Sequence, residues 1–329
     1  MSAGAYYINA NLAAPISNFA GPDQRPRYAA GTANRVVSKI SNAVVLKNEN
    51  IGYSYSLAGS LEKSFSNGFY AKAAYNYGVA RNTVDPGSIA SGTFFSNEIS
   101  RDPNNPGVAY SQYSPGHRSF LALSYRREYF RFGATSISLF AERATQGNAS
   151  YTFANDVNSD GGFSNDLIYI PKGPSEMRFV PFTTGSGASA RTFSAAEQET
   201  AWEAFIQQDS YLSTHRGQYA ERNAVFLPQV VRADVSISQD VFRAVNGKRN
   251  TLQIRLDILN VGNLLNNQWG VGSRLTTNQP LTNGAANAAG ELTYRLRNIG
   301  TNLLSSTYAK NSSIFDVYRM QLGLRYTFN

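Results

Sequence analysis

From Val317 to Asn329 the chain alternates with period two. Tyr318, Met320, Leu322, Leu324, Tyr326 and Phe328 share one parity, and Arg319, Gln321, Gly323, Arg325 and Thr327 share the other. Successive side chains of a strand point to opposite faces, so this segment reads as a strand with one apolar and one polar face. Ile51 to Phe65 repeats the pattern: Ile51, Tyr53, Tyr55, Leu57, Leu61 and Phe65 alternate with Gly, Ser and Glu. After Ser66-Asn67-Gly68 it returns as Phe69, Ala71, Ala73, Tyr75, Tyr77 and Val79. Asn-Gly between two alternating runs is a strong hairpin signal.

Two further pairs follow. Leu121, Leu123 and Tyr125 lead through a turn expected at Arg126-Arg127-Glu128 into Phe130 to Arg143. Val231, Ala233, Val235, Ile237 and Val241 lead past Asn246-Gly247 to Leu252, Ile254, Leu256 and Ile258. These strands run about 10–14 residues, twice the usual globular length of about 5–6. Either a soluble sandwich, with its apolar faces against a partner sheet, or an outer-membrane barrel, with its apolar faces against lipid, fits such strands.

Composition narrows the choice. Charged residues are 16% of the chain, against about 25% in a soluble domain. Hydrophobic residues are 42%, and mean hydropathy is negative. The deficit of charge is therefore filled by small polar residues and not by a larger soluble core, while 20 Tyr and 19 Phe supply the aromatic faces. No run of about 18 apolar residues marks a membrane helix. The absence of Cys removes disulfides, thiolate catalysis and zinc–thiolate sites. The formal charge is +8, but Lys and Arg are scattered singly, which argues against a nucleic-acid partner. Met1-Ser2-Ala3-Gly4-Ala5 does not open a signal peptide, so a mature form, a fragment or a cytoplasmic protein is expected.

Connection lengths favour the barrel. Those at 66–68, 126–129 and 243–249 are tight, whereas those at about 81–116, 146–228 and 262–312 are long. Short and long alternate, as periplasmic turns and extracellular loops do in outer-membrane barrels. Within the longest loop, Ser194-Ala195-Ala196-Glu197 reads as a capping box. It would open a short helix with Trp202, Phe205 and Ile206 on its apolar face.

With these features the chain resembles the C-terminal part of a TonB-dependent receptor barrel, of the Oar-like and SusC-like kind whose plug carries a carboxypeptidase-regulatory-like domain upstream. The segments that carry the resemblance are Leu46-Lys47-Asn48-Glu49-Asn50 before Gly52-Tyr53-Ser54-Tyr55, Pro115-Gly116-His117-Arg118, and Asp156 to Gly161 running on to Asn165-Asp166-Leu167-Ile168-Tyr169-Ile170-Pro171. They continue with His215-Arg216-Gly217 before Glu221-Arg222-Asn223, Leu259 to Asn266 leading to Trp269-Gly270, and the terminal Tyr326-Thr327-Phe328-Asn329. The resemblance implies an all-β, antiparallel transmembrane barrel with long extracellular loops and one short loop helix. Residues 1–329 would supply about 8–10 of about 22 strands, without plug or TonB box. It further implies residence in the outer membrane of a Gram-negative bacterium and energy-coupled uptake of an unidentified nutrient. Partners would be outer-membrane lipid, the TonB complex through the missing plug region, the outer-membrane assembly machinery and a surface lipoprotein. A self-contained passive porin-like barrel and a soluble β-rich binding or adhesion module are the alternatives.

Candidate sites follow from residue type. Asp156, Asn158 and Asp160 before Gly161 match the first half of a calcium loop, with Asp166 one place before the usual twelfth-position acid; an ion-free Asx turn is the other reading. Arg232, Asp234, Asp240, Arg255, Asp257, Arg319 and Arg325 share the polar parity and are expected to face the lumen. Tyr326 and Phe328 resemble the C-terminal signal read by the assembly machinery. The two histidines, His117 and His215, have no Gly-x-Ser-x-Gly elbow to serve, so no enzyme activity and no organic cofactor are expected.

Overall fold

The computed structural model describes residues 4–130, 132–245, 248–282 and 284–328. Seven long strands dominate it: β1 (Tyr53–Ser64), β2 (Phe69–Asn82), β3 (Gly116–Tyr129), β4 (Gly133–Ala144), β5 (Val230–Val245), β6 (Lys248–Leu259) and β7 (Arg319–Thr327). They pair in chain order, each antiparallel to the next, and the two-residue strand Ala109–Tyr110 adds to β2. The sheet counts eight strands with that short one, but only seven are long, one fewer than the eight to ten expected. It is open: β1 pairs only with β2 and β7 only with β6 among the described residues. The chain is thus mostly β with antiparallel long strands, and among the described residues no helix is long and apolar enough to cross a membrane.

The tight connections gather at one end of the sheet. The first is built as its residues dictate: Asn67 Oδ1 accepts from the Phe69 amide, and Gly68 takes φ 85°. A Cβ on Gly68 would stand 2.2 Å from the Arg126 carbonyl oxygen, so only Gly fits. The second turn corrects the expectation from sequence. Arg126, Arg127 and Glu128 lie inside β3, opposite Ser136, Thr135 and Ala134, and β3 continues to Tyr129 before β4 begins at Gly133. The charge run reads as a turn, but Arg126 is held in the ladder because its guanidinium reaches Asp240, two strands away, at 2.8 Å. The third turn, Asn246-Gly247, lies outside the described residues, as does Asn329.

The register carries the apolar parity from β7 to β2, and on β1 Leu57 and Leu61 stand opposite Tyr77 and Ala73. One row reads Leu322, Leu256, Ile237, Ile137, Tyr125 and Phe69 from β7 to β2. The next reads Met320, Ile258, Val235, Leu139, Leu123 and Ala71. These side chains are not the buried core. Leu61 is 81% exposed and Leu322 76%.

The buried core lies elsewhere, at the end of the sheet where the long connections leave. It comprises Phe19, Tyr151, Phe153, Ile168, Ile170, Trp202, Phe205, Ile206, Leu281, Leu296 and their neighbours, and none of its residues belongs to the seven long strands. Residues 4–52 and the connections 83–115, 145–229 and 260–318 knit into this one body. Representative ties are the amide of Tyr28 to the carbonyl of Asn158, Thr152 to Asn278, and Val180 to Tyr294. The expected loop helix is present as Ala195–Gln208. Ser194 accepts from the Glu197 amide and Glu197 from the Ser194 amide, so the capping box is complete. Trp202, Phe205 and Ile206 are sealed inside the core, more deeply than a rim helix requires.

Candidate functional site

The exposed apolar face is the most unusual feature of the molecule. Its middle is aliphatic, with Leu57, Leu61, Ile237, Leu256, Leu322 and Leu324. Aromatic rings gather at its two ends: Tyr53, Tyr55, Tyr75 and Tyr77 toward the long connections, and Phe65, Phe69, Phe130, Phe132, Tyr326 and Phe328 toward the tight turns. On β5 the parity from Val231 to Val241 covers about 33 Å along the strand at about 3.3 Å per residue. Tilted by the 35–45° of membrane barrels, that is a band about 25 Å tall.

Several polar groups on this face are bonded to one another, while the exposed Lys63, Arg127 and Arg143 share its parity near the two ends of the sheet. Gln239 Oε1 accepts from Tyr129 and Thr135 hydroxyls, each at 2.7 Å, while its Nε2 donates to the Asp240 carbonyl. Tyr75 and His117 Nδ1 meet at 2.7 Å, and the His117 ring lies 4.5 Å from that of Tyr77. Mutual pairing of this kind removes the need for water at the surface.

The residues expected on a lumenal face do share one face, the opposite one. Arg325, Gln253 and Asp240 form one row, and Gln321, Asp257 and Ser236 another. They form local pairs and not one network. Arg255 bonds Asp257 at 2.8 Å, Asp240 takes Arg126 and Gln253, and Asp234 accepts the Asn260 amide. Arg232 reaches off the sheet to Asp316 at 2.8 Å and to the Gly270 carbonyl, and Arg319 lies over the Phe315 ring. Tyr326 and Phe328 stack at 6.2 Å at the end of β7.

The acidic turn is closed by its own amides. Asp156 accepts from Ser159 and Gly161, Asn158 from Asp160, and Asp160 from Gly162. Asp166 does not face the turn alone: it accepts the Val157 amide and pairs with Arg25 at 3.2 Å. Among the described residues no group of three His, Cys, Asp or Glu is placed to hold a metal ion. Burial, with the neighbouring carboxylates adding to it, pushes Asp160 up to about 7; burial, opposed by Arg25, pushes Asp166 up to about 6. Beside the turn lies a cleft of about 470 Å³ lined by Asn34, Arg35, Asn42, Phe95, Asp160 and Phe163, among others.

His117 sits on the apolar face and His215 in the loop body, where its Nδ1–H donates to the Tyr211 carbonyl at 2.8 Å and its ring stacks on Tyr211 at 4.2 Å. Sequence reasoning missed the residues that organise the loop body. Arg25, wholly enclosed, is held by Asp23, Asp166 and the Leu167 carbonyl and lies over the Phe153 and Tyr219 rings. Arg222 donates to the carbonyls of Thr83 and Asn82 and to both of the Asn82 and Asn97 side chains. Asp209 accepts from the Tyr151 and Thr307 hydroxyls and from two amides. Their local sequence carried no signal: Arg25 stands between Asp23 and Arg27, and Arg222 directly follows Glu221. No family description, curated protein or solved structure matches the chain.

Proposed function

We propose that this chain is the C-terminal, membrane-embedded part of an outer-membrane TonB-dependent receptor barrel, serving energy-coupled uptake of a nutrient. The observation that carries this reading is the uncovered apolar face running across seven antiparallel strands. The loop body keeps its apolar side chains for itself and leaves that face bare. Burying it in lipid recovers roughly 25 cal/mol per Å², whereas in water it would be an aggregation surface. The aromatic ends and the segregation of tight and long connections to opposite ends agree with that setting. The loop body would then stand on the extracellular side, where a nutrient first meets the receptor, and no step of chemistry on the nutrient is implied.

Because the chain has no Cys, single-cysteine variants along β4 and β5 give a clean test. Spin labels placed there should alternate, residue by residue, between contact with lipid-soluble oxygen and contact with a water-soluble relaxant. A chain that remains soluble without detergent and shows no alternation would instead be the soluble binding module.

A further inference from the structure

We propose that the loop end of the apolar face carries a discrete site for one phosphate-bearing lipid, its headgroup held by Arg143 and an acyl chain laid along the aliphatic rows. The inference rests on the membrane reading above and goes beyond bulk contact with lipid, because it names a place, a headgroup chemistry and a single copy. Where β2 to β5 meet the loop body lies a cleft of about 510 Å³, lined by Tyr77, Tyr110, His117, Arg143, Phe226 and Gln229, among others. Arg143 lies on β4, in one row with Tyr75 of β2, Ser119 of β3 and Val231 of β5. None of these neighbours is charged, and among the described residues no carboxylate, carbonyl or ring engages its guanidinium. Two nearby cations are already taken. Arg81 pairs with Glu221 and lies over the Tyr110 ring at 4.3 Å, while Arg118, on the opposite face, pairs with Glu142.

Arg143 is thus an exposed, uncompensated charge on a face otherwise turned to lipid. Its level decides what neutralises it. The row it shares with Tyr75 and Val231 is the loop-side limit of the apolar stripe, and interfacial tyrosines sit at the level of lipid headgroups, above the acyl chains. The anion available there is the lipid's phosphate, whose oxygens match the guanidinium fork. His117 adds a second group. The Tyr75 hydroxyl can donate to its Nδ1, which puts the ring hydrogen on Nε2, and Nε2 has no partner among the described residues. The side-chain amide of Gln229 is likewise unengaged and supplies further donors. Tyr110 and Phe226, packed edge to face at 5.1 Å, wall the cleft on its apolar side. Below it Leu121, Leu123, Leu139 and Val235 continue toward the tight turns and offer a path for an acyl chain.

The test uses the full chain in detergent micelles, read by native mass spectrometry with three probes: dilauroyl phosphatidic acid, the diacylglycerol of the same chains, and inorganic phosphate. One phosphatidic acid per chain should be retained at concentrations about tenfold or more below those the diacylglycerol needs, and Arg143→Gln should weaken retention by a similar factor. Arg143→Lys should keep only part of the affinity, since the charge stays and the fork is lost. Arg127→Gln, on the same face at the opposite end of β3, should change nothing. Equal retention of the diacylglycerol, or equal losses for Arg143→Gln and Arg127→Gln, would overturn the proposal. Displacement of the lipid by inorganic phosphate would also overturn it, by showing a site for a soluble anion. Failure of the membrane reading shows separately, as loss of the period-two label pattern on β4 and β5. That pattern intact, with Arg143→Gln binding phosphatidic acid as tightly as the unaltered chain, would remove the lipid site alone.

Discussion

Arg25 Nη1 meets Asp166 Oδ1 at 3.2 Å although 141 positions separate them, and neither side chain retains appreciable contact with solvent. The pair ties the N-terminal segment to the acidic turn through the centre of the loop body. Burial alone would lower the Arg25 pKa, but Asp23 and Asp166 raise it, so the guanidinium stays charged.

Replacing Arg25 by Met should destabilise the loop body by about 3–5 kcal/mol, because two carboxylates would remain buried without their partner. Arg25→Lys should rescue little, since an ammonium cannot reproduce the forked contacts to Asp23, Asp166 and the Leu167 carbonyl. Urea titration followed by Trp202 emission checks both. Trp202 is buried and Trp269 is 56% exposed, so the blue-shifted component reports the core.

The pH dependence has a defined sign. Asp160 and Asp166 titrate near 7 and 6 in the folded chain, against 3.8 for an ordinary carboxyl. The folded state therefore binds more protons than the unfolded state between those values. The stabilisation is complete below about 3.8 and is lost as pH rises through 6 and 7. The urea midpoint of the loop body should be higher at pH 5 than at pH 8, and Asp160→Asn should flatten that slope. A midpoint that rises toward pH 8 would contradict the assignment.

Ser194→Ala removes the oxygen that accepts the Glu197 amide and should cost about 1 kcal/mol. Trp202→Ala, opening a cavity beside Phe205, should cost about 3–5 kcal/mol. Thermal melts of the two variants would separate a helix-end effect from a core effect. Equal losses would mean that the helix start and the core do not contribute as described.

Leu322→Arg places a charge in the middle of the apolar face and should cost about 2–4 kcal/mol in lipid. Gln321→Arg, one residue away on the polar face, should be nearly silent. Urea-dependent refolding into lipid vesicles measures both. Equal tolerance at the two positions would remove the distinction between the faces.

Much of the sheet was legible in the sequence because strand alternation is local. Leu322 and Gln321 declare opposite faces from their own neighbours, and Ser66-Asn67-Gly68 declares its turn. The turn near Arg126 was misplaced by three to four residues because what holds Arg126 in the strand is Asp240, far along the chain. The acidic turn was found from Asp156, Asn158 and Asp160, but Asp166 belongs equally to Arg25, which no spacing rule connects to it.

By itself the sequence determined the two-faced strands, their order of tight and long connections, and the capped helix at Ser194. Each depends on residues within a turn or two of one another. Only the tertiary structure decided that residues 4–52 join the three long connections in one core, that Arg25, Arg222 and Asp209 organise it, and that the sheet's two edges run the same way. Those outcomes rest on contacts between segments from tens to more than a hundred residues apart, where burial satisfies a charge or a ring from whichever segment the fold brings near, and no local periodicity records the match.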